Sequence, residues 1–272
     1  MVMDDGFVSA VFVSEKANPT NIVFLGDGFF PKKDMVIGGR FEQIVKARVD
    51  HLFSKEPFKE YKEYFSVYWV SSFSSYPDNI FKSEYESIPG VHRSLAVGDR
   101  NLAREYAAKA IPNLQIIVVI LDSFAPGGTG GNGIATSSLA SYYTVVHEIG
   151  HVFGLADEYI DDDLAEHRNL TNPETIFDQT KNRPNVDTTN DPTKVKWAHF
   201  IGRPGYESEG VYEGGYYVSK GVWRPTSDSI MRSYSASSPK FNAISRETIV
   251  KGILANAGET YDFNEFLRRD KP

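Results

Sequence analysis

The sequence predicts an α/β domain built on a mixed, mostly parallel twisted sheet. Three observations carry this. Short apolar runs alternate with segments of helical periodicity, as they do when a strand, a helix and a second strand are joined in turn. One run, Gln115-Ile116-Ile117-Val118-Val119-Ile120-Leu121, is apolar almost without interruption, the pattern of a strand covered on both faces. A stretch with two histidines four residues apart then follows at helical spacing, His147-Glu148-Ile149-Gly150-His151.

In chain order, Asn21-Ile22-Val23-Phe24-Leu25 reads as a buried strand that stops at the turn Gly26-Asp27-Gly28. A helix is expected from about 33 to 53, because Phe41, Ile44, Val45, Val49 and Leu52 recur on one face. Glu56-Pro57-Phe58 starts a short helical turn, and Phe65-Ser66-Val67-Tyr68-Trp69-Val70 is a second strand, parallel to the first by the crossover rule. Residues 71–98, rich in Ser, Pro, Tyr and Gly, read as a long surface excursion that could wall a site. Asp99 caps a helix running to about 110, before the apolar run at 115–121. Pro126-Gly127-Gly128-Thr129-Gly130-Gly131-Asn132-Gly133 lacks the Lys-Ser/Thr pair of a phosphate loop. It is either a plain flexible loop or a place where a substrate backbone approaches closely. The histidine helix is expected from about 138 to 153. Residues 160–193 are polar with little periodicity, 210–225 form a hairpin, and 242–257 form an amphipathic helix.

The chemistry concentrates at His147–Asp157, where the two imidazoles share one helix face and form a zinc half-site. Glu148 lies beside them, within reach of a water on the metal. Gly154 is placed to end the helix in the left-handed conformation, so that the chain swings back and brings an acid to the same point. Asp157 and Glu158 are adjacent and either is a carboxylate that zinc accepts. Glycine and acid at this spacing resemble the extended metzincin pattern, whose count from His151 selects Asp157 and leaves Glu158 in support. Far downstream, Ser229-Ile230-Met231-Arg232-Ser233-Tyr234 resembles the metzincin Met-turn; Met231 is one of four methionines, two of which stand at the N-terminus. Tyr234 would either assist the oxyanion or pack round the turn. Asp161, Asp162 and Asp163 are a candidate structural calcium site or a solvated acidic run.

Bulk properties narrow the partners. A net charge of −7 leaves no basic surplus for phosphates, which argues against nucleic acid. No apolar run is long enough to span a bilayer. Absence of cysteine excludes disulfides, thiolate ligands and a cysteine nucleophile. It suits secretion and cytosol equally. Oligomeric state is not legible.

Together these motifs resemble the M64 group of zinc peptidases, typified by the immunoglobulin A peptidase. The matching pieces are Ile22 to Gly28, Glu56 to Tyr61, His147 to Tyr159, Tyr212 to Tyr217, Trp223-Arg224-Pro225 and Ser229 to Arg232. Relatives commonly have a cysteine where this chain has Ser229. The resemblance implies a metzincin-like α/β fold with a long zinc-binding helix, Met-turn and C-terminal helix. It also implies one catalytic Zn2+ and endopeptidase action on protein or peptide substrates. His147, His151 and Asp157 would hold the metal, with Glu148 as general base. The alternative is an inactive zinc-containing protein- or carbohydrate-binding module; the intact Glu148 weighs against it. The expected organisation is an N-terminal extension at 1–19, a catalytic domain at 20–258 in lobes of about 20–154 and 155–258, and a tail at 259–272. Export, with a signal outside this sequence, is the expected setting, with the cytoplasm left open.

Overall fold

The computed structural model describes residues 4–86, 94–113, 116–140, 142–233 and 240–271. Gln115 and Tyr234 lie outside them. A six-stranded sheet forms the centre. It uses β1 (Val8–Phe12), β2 (Thr20–Asp27), β3 (Phe65–Val70), β6 (Ile116–Leu121), β7 (Gly128–Gly131) and β8 (Ile134–Ser138) in the order β1-β3-β2-β6-β8-β7. The four inner strands run parallel, and the edges β1 and β7 are antiparallel to their neighbours.

Helices on both faces explain why β6 is apolar at every position and why β2 and β3 carry long apolar runs. Ile22 and Phe24 of β2, Phe65, Val67 and Trp69 of β3, and Ile116, Val118 and Ile120 of β6 enter one core. Helices α1 (Arg40–Leu52), α3 (Tyr143–Val152) and α6 (Ala243–Ala257) bury residues in that same core. The alternate residues Val23, Leu25, Val70, Ile117 and Val119 meet the opposite face, where α2 (Arg100–Ala108) supplies Ala103, Tyr106 and Ala107. Asp99 caps α2 as expected, its carboxylate accepting from the Leu102 N–H at 2.9 Å.

Several boundaries differ from the sequence reading. The helix expected at 33–53 begins only at Arg40; Lys32–Met35 is a separate 3-10 turn, and Gly38 at φ 78° breaks the periodicity between them. The excursion after β3 is less superficial than composition suggests. Asp27, the last residue of β2, accepts from the Phe81 and Ser83 N–H groups at 3.0 and 2.9 Å and ties the segment down. Its two-residue strands β4 (Glu84–Tyr85) and β5 (Leu95–Ala96) pair with each other. The histidine helix starts at Tyr143, not near 138, because residues 134–138 belong to β8.

The polar stretch 160–193 is not helix-poor. It holds α4 (Asp162–His167) and α5 (Pro173–Thr180), each too short to show a clear apolar period and each started by a capping side chain, Asp161 and Asn172. With the hairpin β9 (Tyr212–Gly215) and β10 (Val218–Arg224), these helices enclose a smaller core around Leu164, Ile176, Val186, Tyr217 and Val222. Helix α7 (Phe263–Arg269) closes the chain; its Phe266 is buried in the main core, so the segment after 259 is not a loose tail.

The glycine-rich run is the edge strand itself. A Cβ on Gly130 would stand 2.3 Å from the Glu148 carbonyl oxygen, and one on Gly128 would stand 2.4 Å from Thr144 and 2.6 Å from the Glu148 carboxylate. The glycines let helix α3 lie directly on β7. Gly130→Ala must push backbone from backbone, so it is expected to cost about 2–3 kcal/mol. A urea midpoint equal to wild type would contradict this packing.

Candidate metal centre

The two-histidine spacing works as elementary helix geometry requires. His147 and His151 lie one turn apart on α3 and their Nε2 atoms approach to 3.1 Å. Each ring is oriented from behind. The Nδ1–H of His147 donates to the Ile230 carbonyl at 2.8 Å, and that of His151 to the Leu155 carbonyl at 2.9 Å. A carbonyl only accepts, so each Nδ1 carries a proton and each Nε2 is the atom turned inward, available to a metal in place of a proton.

Gly154 ends the helix as its type allows. At φ 90° it donates to the His151 carbonyl at 3.0 Å, while the Leu155 N–H donates to Gly150 at 3.1 Å. This paired closure reverses the chain. It sets the Leu155 carbonyl behind His151 and returns Asp157 to the histidines. Asp157 Oδ1 stands 2.9 Å from His147 Nε2 and 3.2 Å from His151 Nε2.

Three electron-rich atoms therefore converge, and a cation satisfies them together. A tetrahedral metal with bonds near 2.0–2.1 Å separates its ligand atoms by about 3.3 Å, close to the distances here. The donor set of two imidazoles and a carboxylate fits one metal ion, and it is the group of that kind among the described residues. Electrostatics agree. Burial alone would lower the His151 imidazole, but the Asp157 carboxylate outweighs it and raises it to about 9. Burial works to raise Asp157, yet His151 and then His147 hold it well below the usual carboxylate range.

Glu148 is 2% exposed and opens into the same cleft, its Oε2 3.9 Å from His151 Nε2. Burial pushes its carboxyl up to about 7, against the pull of the two histidines. Its carboxylate makes no hydrogen bond among the described residues, which leaves it free to accept a proton.

Glu158 points elsewhere. Fully buried, it accepts from Asn185 and Asn242 at 2.7 Å each and from the Ser229 hydroxyl at 2.7 Å. Its N–H donates to the Met231 carbonyl at 2.8 Å. Glu158 thus ties the ligand segment to the 229–232 turn and to Asn242, the N-cap of α6. Ser229 fills its position by hydrogen bonding, which a thiol does only weakly. Met231 is fully buried beneath α3; a Cβ on Gly150 would come within 2.7 Å of its sulfur.

One candidate finds no support, and another lies beyond the described residues. The Asp161 carboxylate is spent on capping α4, and no group of acids suited to calcium occurs among the described residues. Tyr234 lies outside the described residues. Sequence reasoning missed Tyr217, whose hydroxyl donates to Asp157 Oδ2. Burial, and next Asp157, raise that phenol well above its ordinary value, so it stays protonated and donating. The Tyr216-Tyr217 pair was visible in the hairpin, but its contact with Asp157 depends on a tertiary pairing of Tyr217 N–H with the Tyr159 carbonyl at 2.9 Å.

The cleft above the cluster has a volume of about 1250 Å³ and runs between the β7 wall and residues 154–168 with Tyr216 and Tyr217. The family description IgA Peptidase M64 matches residues 12–206, well over half of the 272 and including the whole His147–Asp157 stretch. The chain belongs to the IgA peptidase M64 family. Membership implies a protein or peptide substrate and supports a metal-dependent hydrolytic enzyme. The hairpin and the 229–232 turn lie beyond the matched residues. A comparison with curated proteins finds no match. No helix among the described residues is long and apolar enough to cross a membrane.

Proposed function

We propose that this chain is a zinc-dependent endopeptidase of metzincin type. The reading rests on one observation above the others: two imidazole nitrogens and a carboxylate oxygen converge within 3.2 Å of one another, with the Glu148 carboxylate beside them, 3.9 Å from His151. His147, His151 and Asp157 would hold the ion. Bound zinc would supply Lewis acidity, polarising the scissile carbonyl and easing loss of a proton from the attacking water.

The remaining steps belong to the chain. Glu148 accepts the water's proton and passes it to the departing amine nitrogen. A carboxyl shifted upward by burial is matched to both transfers near neutral pH. The Ile230 and Leu155 carbonyls keep the imidazole lone pairs turned inward. Tyr217 fixes one Asp157 oxygen and leaves the other for the ion. Met231, packed under Gly150, takes the place of the methionine in a Met-turn, and Tyr234 follows it as a candidate for the oxyanion.

The direct test is proteolysis of mixed protein substrates by protein stripped with a chelator and reloaded with stoichiometric zinc. Turnover should vanish on stripping and return with zinc; a reloaded, folded sample that cuts no polypeptide ends the proposal. Tyr217→Phe should keep the fold and weaken zinc binding about tenfold, as loss of an outer hydrogen bond to a ligand does. Competition with a chromogenic chelator measures this, and unchanged affinity would remove Tyr217 from the site.

A further inference from the structure

We infer that the cleft selects acidic polypeptide segments, with Arg168 and Arg183 as the main specificity-determining residues and Arg100 and Arg232 extending the cationic walls. The inference rests on the peptidase reading of the same site and names its substrate class. Four arginines line the cleft of a chain whose net charge is −7. Its lining acids outside the three metal-holding residues are Glu148, which stands beside them over His151, and, farther along the walls, Glu86 and Asp161. The two wall acids are engaged locally, Glu86 by the Ser94 hydroxyl and Asp161 by the α4 cap.

The arginines are held but not neutralised. Arg183 donates to the Gly154 carbonyl at 3.3 Å, just past the metal-binding helix, and Arg100 donates to Gly131 on the β7 wall at 3.1 Å. Arg232 donates to the Ser227 carbonyl. Arg168 lies over the Tyr217 ring at 4.6 Å, one side chain from Asp157, and its guanidinium makes no hydrogen bond among the described residues. None has a carboxylate within ion-pair distance among the described residues. Arg40, Arg246 and Arg269 elsewhere are closed by acids at 2.6, 2.7 and 3.2 Å. Each cleft guanidinium carries five N–H groups and spends at most one on a partner among the described residues, so a planar anion finds donors already placed. A neutral peptide would cover these charges and leave them unpaired, which costs binding; a carboxylate side chain removes that cost.

The test uses three fluorescent peptides of one length and one central sequence, carrying Asp/Glu, Asn/Gln or Lys on both flanks. Affinity is measured on zinc-loaded Glu148→Gln protein, and cleavage on zinc-loaded wild type. The acidic peptide should bind about tenfold tighter than the neutral one at low ionic strength, and the advantage should shrink in high salt. Arg168→Glu/Arg183→Glu should abolish or invert the order while zinc content stays stoichiometric; Arg168→Gln with Arg100→Gln gives the milder loss if the double reversal fails to fold. Equal affinities, or an acidic preference untouched by these substitutions, overturn the proposal. Cleavage of all three peptides at the same rate would refute it and leave the peptidase reading standing. Arginine-dependent acidic binding without any cleavage would uphold it while the hydrolytic reading falls.

Discussion

Glu148→Gln is expected to lose about three orders of magnitude in peptide hydrolysis while retaining stoichiometric zinc, the scale of removing a general base. The substitution is nearly isosteric, and the Glu148 carboxylate makes no hydrogen bond among the described residues; its oxygens face the cleft and the bare backbone of Gly128. What changes is the group's ability to take a proton. The amide cannot accept one from water, and it also removes a negative charge from beside His151. The variant should therefore match wild type in zinc content and in thermal midpoint, so that kcat alone reports the loss. Turnover within tenfold of wild type would remove Glu148 from its role and send the search for a base to other groups in the cleft.

Asp157→Ala is the second large effect. Asp157 is 5% exposed and has three partners at once: His147, His151 and Tyr217. Its removal leaves two inward lone pairs with no third ligand and a buried phenol with no acceptor. Zinc bound only to folded protein stabilises it by about 4 kcal/mol at a concentration a thousandfold above Kd. That increment should be present in wild type and absent in the variant, measured as the zinc-induced rise in melting temperature. Even without metal the variant should melt lower than wild type by the cost of breaking a buried charge network, about 3 kcal/mol. Glu158→Gln is the companion: Glu158 is held by Asn185, Asn242 and Ser229 and faces away from the histidines, so zinc should still bind. Zinc retained by Asp157→Ala but lost from Glu158→Gln would reverse the two assignments.

How much was legible follows from the range over which each signal acts. The His147/His151 pair, the Gly154 stop and the return to Asp157 are local. They depend on residues within eleven positions, and helix pitch and glycine's conformational freedom place them before any tertiary contact forms. The central strands were equally readable, because a strand buried on both faces carries a nearly continuous apolar run, as Ile22–Leu25 and Ile116–Leu121 do. The glycine-rich run was misleading, since composition reports small side chains without saying what needs the space. In the fold the need is steric: Glu148 and Thr144 of α3 press against β7. Helices α4 and α5 were missed because one or two turns carry too little periodicity to register against a polar background.

The amino-acid pattern alone thus determined the paired imidazoles with an acid to follow them, their helical frame and the parallel sheet beneath it. Tertiary structure decided which neighbouring acid faces the imidazoles, that Glu158 is drawn off by Asn185, Ser229 and Asn242, and that Tyr217 rather than a nearer residue grips Asp157. Those choices join groups 27 to 84 positions apart in the chain. Backbone geometry carries information over a turn or two, whereas pairing at such separations is set by packing and by the need of each buried polar atom for a partner.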